Sequence, residues 1–267
     1  MRAGLPMYDP PELRSAVDAW WAGLASCLRD QGIDDVPHHL DREMTFDSLW
    51  RAPDLLLAQA CGYPLMVGWS DALQYVATPR YNAPGCIGSS YCSWIVVNAD
   101  SHFTCLEDLR GAQCSINGRN SHSGYNALRA HVAELSRDGR FFGAVSVSGG
   151  HSESLAQLGR GEVDVAAIDC VTYEMLRRCR SDAIAATRIV GQTDHAPGLP
   201  YVTCKGADAD LVRRLRAGIE AACSLPRLAD VRAALLIDGV DFLPVQSYGK
   251  MLALQADALA HGYLELD

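Results

Sequence analysis

No apolar run in these 267 residues approaches the roughly 18 that a membrane-spanning helix needs, so no transmembrane segment is expected. The first residues, Met1-Arg2-Ala3-Gly4-Leu5-Pro6-Met7-Tyr8, lack a basic segment followed by an apolar one, and no secretory signal is read there. As it stands the chain is expected in the cytoplasm, and in the periplasm if a leader precedes it. The ten cysteines contain no C-x-x-C pair, which argues against a zinc ribbon; most read as small buried apolar side chains in a reducing compartment. There is no basic stripe interleaved with aromatics, and the net charge is −9, so a nucleic-acid partner is not expected. No internal repeat, low-complexity tract or long linker is found, so any lobes must be joined by short strands. No G-x-S-x-G is present, and no Ser-His-Asp or Cys-His spacing stands out.

What is present is an ordinary globular composition, 49% hydrophobic and 21% charged, in a chain long enough for two lobes. Its central stretch is Gly118-Arg119-Asn120-Ser121-His122-Ser123-Gly124-Tyr125-Asn126, with a helical pattern from Ala127 to Leu135 and a strand, Gly111 to Ile116, before it. A polar turn between strand and helix offers unpaired amides at the positive end of the helix dipole. Ser121, His122 and Ser123 add side-chain donors, which suits a phosphate, phosphonate, sulfonate or carboxylate. The plainer reading is a serine cap that binds nothing. A second such turn, Ser148-Gly149-Gly150-His151, follows a strand from Phe141 to Val147 and opens a short helix. A third strand, Val163 to Asp169, ends in a carboxylate that either meets a ligand or caps the helix from Val171 to Arg178.

Elsewhere Leu5 to Tyr8 reads as a strand, with Tyr8 at its carboxyl end, where α/β sheets bind ligands; a core tyrosine is the equal alternative. A helix follows to about Leu28, with Trp20, Trp21, Leu24 and Leu28 on one stripe. Asp54 to Gln59 has a buried-strand pattern that would carry Gln59 to a cleft. Leu73 to Ala77, Tyr91 to Val97 and Tyr201 to Cys204 read as strands. Leu211 to Ala222, Pro226 to Leu236 and Tyr248 to Tyr263 read as helices, and Gly239 to Pro244 as a break.

Taken together, several stretches resemble the PhnD-like branch of ABC-transporter substrate-binding proteins, which takes phosphate, phosphite and phosphonate. They are Leu5 to Glu12, Asp54 to Leu65, Tyr81-Asn82-Ala83-Pro84-Gly85-Cys86, Tyr91-Cys92-Ser93, Asn120 to Tyr125, Gly149 to Leu155 and Gly161 to Asp169. The resemblance covers nearly the whole chain. It implies an α/β, two-lobed, type 2 periplasmic-binding-protein fold with two crossover strands and a ligand cleft between lobes. Lobe one would be 1–92 plus 201–267, and lobe two 93–200. The resemblance matches Ser121, His122 and Ser123 to the turn that holds the phosphono oxygens. It matches Tyr91 to a tyrosine before the first crossover and His151 to the histidine of the second turn. Gln59 falls near a lobe-one ligand position. Aminophosphonate binders carry an acidic residue where Leu199 stands, so ammonium recognition would rest on Asp169.

The expected role is therefore capture of a small anionic ligand by a monomer, without catalysis, cofactor or metal, with an ABC permease as partner if the chain is exported. The alternative is a cytosolic enzyme or ligand sensor on the same fold, acting on a small heteroaromatic or carboxylate ligand, with Cys61, Cys170, His151 and Asp169 as candidate reactive groups. His38, His39 and Asp41 read as polar surface rather than a metal site.

Overall fold

A computed structural model describes residues 1–266. The chain begins with β1 (Arg2–Gly4), α1 (Arg14–Asp30), α2 (Phe46–Trp50), β2 (Leu55–Gln59), α3 (Gly62–Val67) and β3 (Leu73–Tyr81). Next come β4 (Ser90–Tyr91), β5 (Ser93–Asn98), β6 (Gln113–Ile116), α4 (Ala127–Ala133), β7 (Ala144–Val147) and α5 (His151–Gly159). Then follow β8 (Val165–Asp169), α6 (Cys170–Cys179), α7 (Ser181–Ala185), β9 (Thr187–Gln192), β10 (Ala196–Pro197) and β11 (Tyr201–Cys204). Helices α8 (Ala209–Ser224) and α9 (Ala229–Ala234), strand β12 (Ile237–Asp241) and helix α10 (Gly249–Ala260) complete it.

These elements form two compact units. The first comprises Met1–Asn82 and Pro197–Ser247; the second comprises Ala83–Ala196 and the chain from Tyr248 onward. The first unit holds a five-stranded sheet in the order β1-β2-β11-β3-β12. β1 and β2 are parallel, and β11 runs antiparallel to both β2 and β3. All five β2 residues are buried, as a strand covered on both faces requires. Leu55, Ala58 and Val202 pack with Leu49, Trp50 and Leu65 in one cluster. α1 places Trp20, Leu24 and Leu28 on its inner stripe, with Leu28 directly over Gly218 of α8. Trp20 Nε1 donates to Tyr201 Oη at 3.3 Å, which satisfies a buried indole.

The second unit holds a sheet in the order β7-β6-β8-β5-β9. β7, β6 and β8 are parallel neighbours; β5 is antiparallel to β8 and β9. Its strands are apolar on both faces and sort by alternation. Ile95, Val97, Val165 and Ala167 pack with Leu128 and Val132 of α4. Val96, Ala166 and Ile168 pack with Leu155 and Leu158 of α5 and Leu176 of α6. Helices thus cover both faces of a largely parallel sheet, the α/β architecture expected.

Four expectations need correction. The chain divides after Asn82 and before Pro197, not after 92 and 200, and its last segment returns to the second unit. The cause is packing: Ala258, Tyr263 and Leu266 bury against the α4 side of that sheet, and Arg129 of α4 donates to the Leu264 carbonyl at 2.6 Å. Leu5 to Tyr8 is not a strand; β1 ends at Gly4 and Pro6–Tyr8 is a 3₁₀ turn. Pro6 has no amide proton for a ladder. β12 occupies part of the stretch read as a break, because β3 offers it an antiparallel edge. β9 was not anticipated, since its residues are only partly buried and lack a clean alternation.

Leu28→Ala is expected to cost about 2–5 kcal/mol, because a fully buried side chain is lost from the α1–α8 seam. Urea unfolding followed by circular dichroism checks this; a loss under about 1 kcal/mol would show that the seam relaxes around the cavity.

Candidate functional site

The parallel trio decides where the polar turns go. β7, β6 and β8 are adjacent and point the same way, so the turns that leave them gather at one edge of the sheet. The carboxyl edge of such strands is where open α/β sheets bind ligands. The exit of β6 is Asn117 to Ser121, that of β7 is Ser148 to Gly150, and that of β8 is Asp169 itself.

The first turn is built by Ser121. Its backbone is extended and its Oγ accepts the Gly124 amide at 3.2 Å, making it the cap of the following turn. That turn, His122–Asn126, is a single π turn closed by the Asn126 amide on the Ser121 carbonyl at 3.1 Å. Such wide turns inside helices recur at functional sites. Ser121 Oγ lies 3.4 Å from Ser123 Oγ, and Ser123 Oγ lies 2.8 Å from His151 Nε2. Asn117 Nδ2 stands 3.4 Å from the same ring nitrogen. The first and second turns are therefore one hydrogen-bonded cluster. A Cβ on Gly124 would lie 2.1 Å from Asn117 Oδ1, so a larger residue there must displace the carboxamide that sits over the turn.

The second turn is braced from below. Ser148 Oγ accepts the Gly150 amide at 3.3 Å and lies 2.7 Å from Ser154 Oγ, which is 3.2 Å from Ser115 Oγ on β6. This chain of hydroxyls holds the start of α5, and hence His151, against the centre of the sheet.

Both site histidines are neutral; His122 is buried and His151 is half-buried. Burial pushes His151 down to about 4, against an opposing contribution from the Ala167 carbonyl. Burial, and then the positive charge of Lys250, pushes His122 down to about 3. His122 Nδ1 is 3.3 Å from Asn126 Nδ2, an amide donor, so the ring's acceptor nitrogen faces Asn126. The Asn126 amide also donates to the Met251 carbonyl at 2.9 Å, which ties α4 to α10. The Tyr91 ring lies 6.1 Å from that of His122, so Tyr91 joins this group. Asp169 Oδ1 accepts the Val171 and Thr172 amides at 2.8 and 2.9 Å and is the cap of α6. Arg119 points elsewhere, into an exposed pair with Glu265 at 2.9 Å.

The other two expected residues lie in the first unit and form their own cluster. Gln59, at the carboxyl end of β2, donates to Tyr81 Oη at 2.9 Å and to the Leu199 carbonyl at 3.2 Å. Tyr8 packs edge-on against Tyr81 with ring centroids 5.0 Å apart. All three side chains are buried. Tyr81, Asn117 and Asn126 are partners that sequence reasoning did not single out as site residues. The only signal for Asn117 was its place directly after a strand.

Chemically, the second unit offers hydroxyls, imidazoles and turn amides, an array suited to an oxyanion, with the buried Arg129 guanidinium 3.5 Å from Asn126 Oδ1. The Ser123–His151 distance is also that of a nucleophile and its base, yet among the described residues His151 Nδ1 has no hydrogen-bond partner, so no carboxylate orients the ring as in a triad. Asp41 accepts the Glu43 and Met44 amides, both at 3.1 Å, and so shapes its own loop. Among the described residues, no group of three or more His, Cys, Asp or Glu side chains is arranged to hold a metal.

Two outcomes are expected. Gly124→Ala displaces Asn117 and lowers the melting temperature; an unchanged value would show that Asn117 swings away freely. The second concerns acid. Below about pH 6.5 the unfolded chain binds a proton at each site histidine that the native state refuses, so stability falls as pH drops from about 6.5 towards 4. The limiting slope is roughly 1.4 kcal/mol per pH unit for each histidine. Denaturant titrations at pH 7 and 5, with His151→Gln as the reference, measure it, and an equal slope in both proteins would show that His151 is not the group responsible.

Known proteins resemble this chain in family and in fold. The family described as ABC transporter, phosphonate, periplasmic substrate-binding protein matches residues 5–240. A binding protein component of an ABC phosphonate transporter from Pseudomonas aeruginosa has the same fold, with a TM-score of 0.78 at 16% identity, covering 98% of this chain and 87% of that one. PhnD1 from Prochlorococcus marinus, in complex with methylphosphonate, superposes with a TM-score of 0.74 at 13% identity, covering 95% and 96%. A short segment is 37% identical over 60 residues to an L-rhamnose mutarotase of Sinorhizobium fredii; it is 22% of this chain and spans 58% of that relative's length. The fold is thus of the type 2 periplasmic-binding-protein class, and the chain belongs to the family of periplasmic phosphonate substrate-binding proteins of ABC transporters.

Proposed function

We propose that this chain is a non-catalytic solute receptor that captures a small phosphorus oxyanion, with an alkylphosphonate as the favoured ligand and an ABC permease as the recipient. The observation that carries this reading is the single cluster made by the buried Ser121 and Ser123 and the half-buried His151 at the joined exits of β6 and β7. A tetrahedral oxyanion needs several convergent donors. Two hydroxyls, the amides of His122 and Ser123 and, in its Nε2–H tautomer, the His151 ring can supply them; the Gly124 amide is held by Ser121 Oγ. Charge-assisted hydrogen bonds of about 1.5–3 kcal/mol each bring three or four of them into the micromolar range after the cost of association. His122 and Tyr91 form the wall beside this array, and we assign Tyr8, Gln59 and Tyr81 of the first unit to the organic substituent. Binding then follows a hinge-closure scheme, in which the ligand stabilises the closed state.

Asp169 is proposed to shape the third turn rather than meet an ammonium group, since its Oδ1 is spent on two helix amides. Leu199 is apolar where aminophosphonate binders are acidic. The preferred ligand therefore lacks an amine.

Isothermal titration with methylphosphonate, phosphite, phosphate and 2-aminoethylphosphonate tests the reading. Methylphosphonate is expected to bind at least about tenfold more tightly than the aminoethyl compound, a difference of about 1.4 kcal/mol. Ser121→Ala with Ser123→Ala is expected to weaken binding by about 100-fold or more while leaving the circular dichroism spectrum unchanged. Full affinity in that double variant would overturn the assignment of the site.

A further inference from the structure

Away from the oxyanion cluster, the second unit gathers three thiols. Cys170 is the first residue of α6, directly after Asp169, and is fully buried. Its amide donates to the Cys92 carbonyl at 3.1 Å, continuing the antiparallel pairing in which Ser93 faces Asp169. Residues so placed have Cα atoms about 4.5–5.5 Å apart. The third thiol comes from the loop before β4. Cys86 Sγ lies 3.7 Å from Cys170 Sγ, across 84 residues of sequence. The loop reaches this position because Gly85 has no side chain: a Cβ there would lie 2.9 Å from Cys170 Cβ and 3.0 Å from Cys92 Sγ. Gly85 also has φ +91, which favours glycine. Backbone approach and thiol position therefore agree.

We propose that Cys86 and Cys170 are a disulfide-forming pair, closed when the protein meets an oxidising environment such as the periplasm that the family occupies, with Cys92 as the thiol that assists closure. Cys86 is half-buried, whereas Cys92 and Cys170 are buried, so an external oxidant reaches Cys86 first. With oxidised glutathione as oxidant, the Cys86 thiolate attacks one glutathione sulfur and releases one glutathione thiolate. The Cys170 sulfur then attacks Cys86 Sγ in the mixed disulfide and releases the second. Two protein thiols are oxidised, and one glutathione disulfide is reduced to two thiols. The Cys170 thiol, pushed up by its hydrogen bonds to Cys86 and then to Cys92 and by burial, must lose its proton for that attack; Cys92, held below its usual range by the hydrogen bond from Cys170, takes it as a thiolate. The bond would tie the loop leading to Tyr91 to the residue after Asp169, stapling two edges of the proposed site without using any of its donors.

The test is non-reducing peptide mapping of the full chain after incubation with oxidised glutathione and blocking with iodoacetamide. Chymotrypsin cleavage after Tyr91 separates Cys86 from Cys92. The expected result is a dithiothreitol-sensitive cross-linked peptide pair carrying Cys86 and Cys170, and a melting temperature raised by roughly 5–10 °C over the reduced protein, as closure of a long loop implies. Cys86→Ser should keep the fold and the affinity for methylphosphonate of the reduced protein, and lose both the cross-link and the thermal shift. A cross-link between Cys92 and Cys170 alone, a stable glutathione adduct on Cys86 alone, or full alkylation of Cys86 after oxidation would each overturn the proposal. Because the readout is a covalent bond, it stands or falls independently of whether methylphosphonate binds.

Discussion

The parallel alignment of β7, β6 and β8 is the constraint on which the second unit depends. Parallel neighbours send their exits to the same edge, and each exit here opens a helix. Three sets of helix-opening amides therefore collect without any residue being recruited from far away. The price is that both faces of the sheet must be covered. Alternation along β5 and β8 meets this demand, with α4 and α10 on one side and α5 and α6 on the other. Loss of α10 would uncover Asn126 as well as apolar surface, because the Asn126 amide is anchored on the Met251 carbonyl. The C-terminal segment thus belongs to the architecture of the site although it contributes no donor to it.

The electrostatics of the cluster follow from burial. A protonated imidazole in this interior would lose its hydration without gaining a carboxylate partner, so both His122 and His151 stay neutral. The turns of the second unit consequently present dipoles and hydroxyls rather than a protonated imidazole. Arg119, the cation nearest in sequence, is held in an ion pair at the surface.

Some of this arrangement was legible from residue order and some was not. The strand, turn and helix around Ser121 and Ser123 follow from local chemistry: an apolar run, capping residues, and a helical period. The same is true of β2, β8 and the apolar stripe of α1. Tyr8, Gln59 and Tyr81 show the limit. Each is an unremarkable residue in an apolar context, and their mutual contacts join positions 8, 59 and 81 only through sheet pairing. Asn117 was passed over because its importance lies in what it fills, the space above Gly124. Asp169 could have been a ligand group or a cap by sequence, and the placement of two helix amides on Oδ1 is a tertiary fact.

What the sequence determined by itself was the set of local elements and the polar character of the turns between them, because propensity, capping and periodicity act over a few neighbouring residues. Tertiary structure alone decided where the chain divides, that residues from Tyr248 onward return to the second unit, and that a short strand forms at Ile237–Asp241. It also decided that Cys86 meets Cys170, 84 residues away in sequence, beside Asp169. Those outcomes depend on which apolar surfaces remain uncovered once the sheets have paired. That is a property of the assembled chain, and no window of sequence contains it.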